Sequence, residues 1–150
     1  MADAAEPTEI RRMQADDIDA VVAIEVESNP HPWSKQQFTA ELSNPGSSVD
    51  LLVADDDVAA FLCSWQVVDE LQIQNVATSP RYRRQGLAAG LLQYVLNRAK
   101  KDGVVRVILE VRASNRSAQQ LYEKYGFKTN GVRPAYYDDN EDALLMECLL

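Results

Sequence analysis

The spacing of apolar positions predicts four helices. Leu87, Ala88, Leu91, Leu92, Val95, Leu96 and Ala99 recur every three or four residues, which places them on one helical face, and Asp102-Gly103 suits a C-cap. Ile18, Val21, Val22 and Glu25 repeat that spacing in a helix from about Asp16 to Glu27, with acidic residues in its first turn, where the helix dipole favours them. Asn29-Pro30-His31-Pro32 must break it. Ser34 and Gln37 then form a capping-box pattern that opens a helix to about Leu42, ended by Asn44-Pro45-Gly46. Ser114-Asn115 offers N-cap chemistry to a short helix with Ala118, Leu121, Tyr122 and Tyr125 on one stripe, and Gly126 closes it.

Strand-like runs fill the intervals: Thr8 to Met13, Val49 to Ala54, Val58 to Val68, Glu70 to Thr78, Val105 to Val111, Phe127 to Val132 and Ala143 to Cys148. Asp55-Asp56-Asp57 reads as a tight hairpin, and Ser79-Pro80 stops the fourth strand. A meander of strands with one strand-helix-strand crossover is an α+β or mixed α/β class built on a mixed sheet. At 150 residues, without repeats or a Gly/Ser-rich linker, the chain reads as one domain over 1–150 with residues 1–8 loose. Uncharged apolar stretches such as Leu87 to Leu96 are only about half of the roughly 20 residues a spanning helix needs. The start, MADAAEPTEI, lacks the basic and apolar blocks of a signal peptide, so a cytoplasmic protein with no membrane partner is expected.

Charge sharpens the picture. Lys and Arg number 15 against 23 Asp and Glu, a net charge of -8, yet nine of the basic residues fall between Arg81 and Arg116 with only Asp102 and Glu110 among them. Such a chain is a poor general nucleic-acid binder with one local site suited to a phosphorylated small molecule. The acidic remainder suits a basic partner or simply a solvated surface. Two cysteines and one histidine, with no CxxC pair, exclude the common multi-ligand zinc sites, and no metal is expected. Cys63 and Cys148 read as reduced core thiols.

The sharpest local feature is Arg83-Arg84-Gln85-Gly86-Leu87-Ala88, at the start of the strongest helix. The first free amides of a helix point outward, and a glycine lets a phosphate approach them; the same residues also make an ordinary basic turn. Glu110 lies between Leu109 and Val111, where desolvation would raise its pKa and suit it to general-base work, or it pairs with Arg106 or Arg112 at the strand's exposed end. Tyr122 is either a core tyrosine or a hydroxyl sharing a cleft with Glu110. Trp33, Tyr136 and Tyr137, among turn residues, are packing residues or a recognition surface.

Together, the arginine-glutamine-glycine turn, LEVRASNRSAQQLYEKYGF and the distal RPAYYDDNEDALLM resemble the GNAT superfamily of N-acetyltransferases. HPWS near residue 31, DELQIQNVATSPRYRRQGLA and LEVRASN narrow the similarity to bacterial ribosomal-protein-alanine N-acetyltransferases, over nearly the whole chain from about Glu9. Two positions depart mildly from the pattern: Ala88 fills the last small position of the glycine motif, and Thr78 stands for a more usual valine.

The resemblance implies a mostly antiparallel sheet of about seven strands, splayed between the fourth and fifth, with about four helices and with acetyl-CoA as co-substrate at the splay. It implies that the pantetheine arm pairs with Val76, Ala77 and Thr78, and that amides of Arg84, Gln85, Gly86, Leu87, Ala88 and Ala89 hold the pyrophosphate, with Asn115 further along. Glu110 would be the general base and Tyr122 the general acid. Trp33, Glu70, Arg133, Tyr136 and Tyr137 would face the acceptor, the amino terminus of a protein such as a ribosomal protein with N-terminal alanine. The rival readings are acetylation of lysine side chains or a small-molecule amine, and a non-catalytic acyl-CoA sensor.

Overall fold

The computed structural model describes residues 8–150. The expected loose start therefore lies outside the described residues up to residue 7, and at Thr8 it is corrected, because Thr8 already pairs in a strand. The elements are β1 (Thr8–Arg12), α1 (Ile18–Ser28), α2 (Lys35–Ser43), β2 (Ser47–Ala54), β3 (Asp57–Val67), β4 (Glu70–Thr78), α3 (Leu87–Lys101), β5 (Arg106–Arg112), α4 (Arg116–Lys124), β6 (Lys128–Arg133) and β7 (Ala143–Leu149). The strands form one mixed sheet in the order β1-β2-β3-β4-β5-β7-β6, so the mixed α+β class read from the pattern holds. No helix among the described residues is long and apolar enough to cross a membrane.

The chain packs as two compact units. The first runs from the start of the described chain to Ser64 and adds Asn75–Val95. Phe38, Leu51, Phe61, Leu62, Leu91 and Leu92 are fully buried in it. Each such side chain is worth about 1.5–3 kcal/mol relative to exposure. The α2 capping box forms as expected: Gln37 N–H donates to Ser34 Oγ (3.2 Å), and Ser34 N–H donates to Gln37 Oε1 (2.7 Å). The β2–β3 hairpin turns through Asp55 and Asp56, whose φ angles of 53° and 64° are both positive, as a two-residue turn matching the strand twist requires. Aspartate tolerates that region better than most residues.

The second unit comprises Trp65–Gln74 and Leu96–Leu150. Here β4 and β5 run parallel, and their ladder covers four pairs, from Glu70↔Arg106 to Ile73↔Leu109. β5 is then held antiparallel to β7 along its length, and β7 to β6, with an irregularity between Thr129 and Gly131. Val107, Leu109 and Val111 are buried on one face of β5, and the strand's alternation turns Arg106, Ile108, Glu110 and Arg112 to the other.

Candidate active site

In the first unit, the segment after β4 is braced by its own arginines. Arg81 and the Tyr82 hydroxyl both reach Asp57 (3.2 Å each), and Arg83 donates to the Thr78 carbonyl (3.3 Å) and to Ser28 Oγ (3.2 Å). Arg84, at φ 65°, makes no hydrogen bond or ion pair among the described residues. Gly86 follows at φ 74°, a conformation that favours glycine, and a Cβ built there meets nothing within 4 Å. The bond from Gly90 N–H to the Gly86 carbonyl (3.0 Å) starts the α3 ladder, which leaves the amides of Leu87, Ala88 and Ala89 without carbonyl partners among the described residues. Free helix amides, open space over a glycine and an unpaired cation fit a pyrophosphate. Upstream, Val76 and Thr78 are half-buried and Ala77 is buried.

Trp33 is fixed from two sides in the same unit. Its amide donates to Glu25 Oε2 (2.9 Å), and its ring packs at a tilt, 5.3 Å between centroids, against Phe38, which meets Phe61 edge-on at 5.5 Å. Cys63 is fully buried and donates its thiol to Glu41 (3.2 Å); burial, with that carboxylate, pushes the thiol far above its ordinary range. A buried thiol held in its neutral form is a poor nucleophile.

The second unit gathers most of the acceptor-side candidates. Glu110 is exposed rather than desolvated, and its partner is neither neighbour along the strand. Arg106 is held by Glu70 (3.0 Å) and Glu147 (2.9 Å), and Arg112 by Asp139 and Glu141 (both 2.9 Å). Arg133, reaching across β7 from the end of β6, approaches Glu110 at 3.6 Å and lies 5.4 Å from the Tyr136 ring. The Tyr136 hydroxyl bonds Glu110, and that bond holds its pKa above the ordinary value. Tyr136 and Tyr137 meet edge-on at 5.1 Å, with the Arg112 guanidinium 4.0 Å from the Tyr137 ring centre.

Tyr122 is 8% exposed and packs against Phe127. Burial first, then the nearby Tyr137, pushes its hydroxyl up to about 12. The fold thus brings Glu110, Tyr122, Arg133, Tyr136 and Tyr137 into one cluster. Glu70 stands apart from it: it faces Arg106, four residues earlier on β5, or roughly 13 Å away by strand rise. Asn115 caps α4 through Oδ1, which accepts from Ala118 N–H (3.2 Å), so only its remaining amide group is available to a ligand.

The sequence pattern of the acetyltransferase (GNAT) family matches residues 18–127. The chain belongs to this family. An Escherichia coli (strain K12) GNAT named [Ribosomal protein bS18]-alanine N-acetyltransferase is 37% identical over 142 residues, covering 91% of this chain and 94% of its own. An N-alpha-acetyltransferase of Saccharolobus solfataricus is 31% identical over 150 residues, covering 91% and 90%. The crystal structure of the ribosomal-protein-S18-alanine N-acetyltransferase from Escherichia coli superposes with a TM-score of 0.89 at 34% identity, covering 95% and 94%. As a GNAT, the protein is an acetyl-CoA-dependent acetyltransferase.

Two residues of this GNAT chain escaped the sequence reading. Arg112 figured there only as a rival partner for Glu110, yet it organises the loop between β6 and β7. Glu25 figured only as a member of a helical stripe, and the signal was there: a carboxylate in register with Ile18 and Val21 must be buried with them.

Proposed function

We propose that the protein transfers the acetyl group of acetyl-CoA to the N-terminal α-amino group of a protein, an N-terminal alanine of a ribosomal protein, by direct attack in a ternary complex. The observation that carries this reading is the 37% identity to the bS18-alanine enzyme over almost the full length of both chains. The Glu110 cluster supports it with chemistry that an amine acceptor requires.

Bound acetyl-CoA supplies an acetyl group already activated as a thioester. Leu87, Ala88 and Ala89, with Arg84, Gln85 and Gly86, hold the pyrophosphate on free amides at the α3 N-terminus. The backbone of Val76, Ala77 and Thr78 takes the pantetheine arm as an added strand would, and Asn115 contacts the molecule further along. Glu110 removes the proton of the α-ammonium group, directly or through water. A peptide α-amine has a pKa near 7.7–8.0 against about 10.4 for lysine, so a modest base suffices for the first and not the second. Arg133 and Tyr136 orient the Glu110 carboxylate, and Tyr137 faces the first residues of the acceptor. Tyr122 stays protonated through the neutral range and gives its proton to the departing thiolate. Incubating the protein with acetyl-CoA and an alanine-started peptide, then locating the acetyl group by tandem mass spectrometry, tests this. Acetylation at the α-amine is expected. Modification of lysine side chains instead overturns the substrate, and no CoA release overturns the activity.

A further inference from the structure

We infer that Glu25 is a positioning residue for the acceptor, setting the loop that carries Trp33 against β4 without itself touching the reacting groups. The inference rests on the proposed function and takes that loop as peptide-facing.

Three parts of the first unit meet at one oxygen. Glu25 lies in the last turns of α1 and is 0% exposed. Its Oε2 accepts from the Trp33 amide (2.9 Å) in the loop, from Asn75 Nδ2 (3.0 Å) on β4, and at 3.4 Å from Asn29 Nδ2 at the helix end. Asn29 Oδ1 in turn accepts from His31 N–H (3.0 Å), so the loop is tied both to Glu25 and to itself. Asn75 directly precedes Val76, where the proposed pantetheine stretch begins. One carboxylate oxygen therefore sets both the acceptor loop and the strand proposed to present the acetyl group.

The second oxygen shows that folding alone does not explain this choice. Glu25 Oε1 is buried and has no hydrogen-bond partner among the described residues. A buried oxygen without a donor weakens a fold, and a neutral amide would tie loop to strand without burying a charge. What the carboxylate adds is grip: bonds to an ionised acceptor are roughly twice as strong as neutral ones and hold their donors closer.

Glu25→Gln keeps a carbonyl for the three donors and places an amide where Oε1 stood. With the weaker acceptor, KM for the alanine-started peptide should rise about fivefold. The kcat and the KM for acetyl-CoA should stay within about twofold, and the thermal midpoint should not fall. Asn75→Ala should act in the same direction, and the double variant should be no worse than the weaker single one, because both cut the same tie. Native-state amide exchange provides a readout independent of activity: protection of the Trp33 N–H should drop about fivefold in Glu25→Gln. An unchanged peptide KM in an active enzyme overturns the inference. So does a joint loss of both KM values, kcat and thermal midpoint, the signature of a merely structural residue. Wild-type protein that leaves the peptide unmodified overturns the substrate reading instead; the exchange result then decides Glu25, with equal Trp33 protection in the two proteins overturning it.

Discussion

At the scale of single residues, Glu110 and Tyr122 are opposites in setting, one exposed on a strand face and one buried against Phe127. Glu110→Gln preserves shape and removes the base, so kcat/KM at pH 7 should fall about 10² to 10⁴-fold. The deficit should shrink as pH rises toward 9, because free α-amine then forms without help; a pH series with both enzymes reads it directly. Tyr122→Phe should lower kcat while acetyl-CoA affinity, measured by calorimetry, stays close to wild type. Tyr122 also carries a stability signature. Its pKa is raised from 10 to about 12, so its contribution is complete below pH 10 and is lost as pH climbs to about 12. Thermal midpoints across that alkaline window should fall more steeply for wild type than for Tyr122→Phe. Of the two settings the sequence left open for Glu110, the desolvated one does not hold, since the residue is exposed, and its partner was not legible. The nearest arginines in sequence, Arg106 and Arg112, are claimed by acids from β4, β7 and the last loop, and Arg133 arrives from two strands away.

Among elements, the turn into α3 makes the firmest prediction. Gly86 sits at φ 74° with open space around it, so a side chain there meets no packing clash, and a carboxylate at a helix N-terminus is itself favourable. Gly86→Glu should thus fold, with backbone strain of about 1–2 kcal/mol. Acetyl-CoA affinity in calorimetric titration should drop at least about tenfold, or about 1.4 kcal/mol, because bulk and negative charge occupy the anion's place. Elements announced by local chemistry were legible: Ser34 with Gln37 did open α2, Ser79-Pro80 did end β4 at Thr78, and Gly126, at φ 95°, did close α4. The loop at 134–142 was not. Its path depends on Arg112 bridging Asp139 and Glu141, on Ala135 N–H reaching Asp142 Oδ1 (2.9 Å), and on Ala135 and Asn140 adopting positive φ, none of which leaves a periodic trace in sequence.

For the whole molecule, a net charge of -8 favours a basic acceptor tail, as a protein that contacts RNA phosphates would carry. Three acids of the second unit are already engaged: Glu70 pairs with Arg106, and Asp139 and Glu141 pair with Arg112. The remaining preference is a matter of field and exposed contacts worth about 0.2–1 kcal/mol each. An Ala-Arg-type peptide should therefore have a kcat/KM a few-fold above an Ala-Glu-type peptide, with the gap closing as salt is added; equal values would sink the electrostatic reading. A different consequence follows from the two cysteines. Cys63 is sealed and tied to Glu41, and Cys148, also buried, has its thiol pushed up by burial. Neither presents a thiolate, so maleimides and iodoacetamide should leave the native protein unlabelled. One cysteine introduced on the surface would then be the sole attachment point for a fluorophore, and loop motion during turnover could be watched without removing either native thiol.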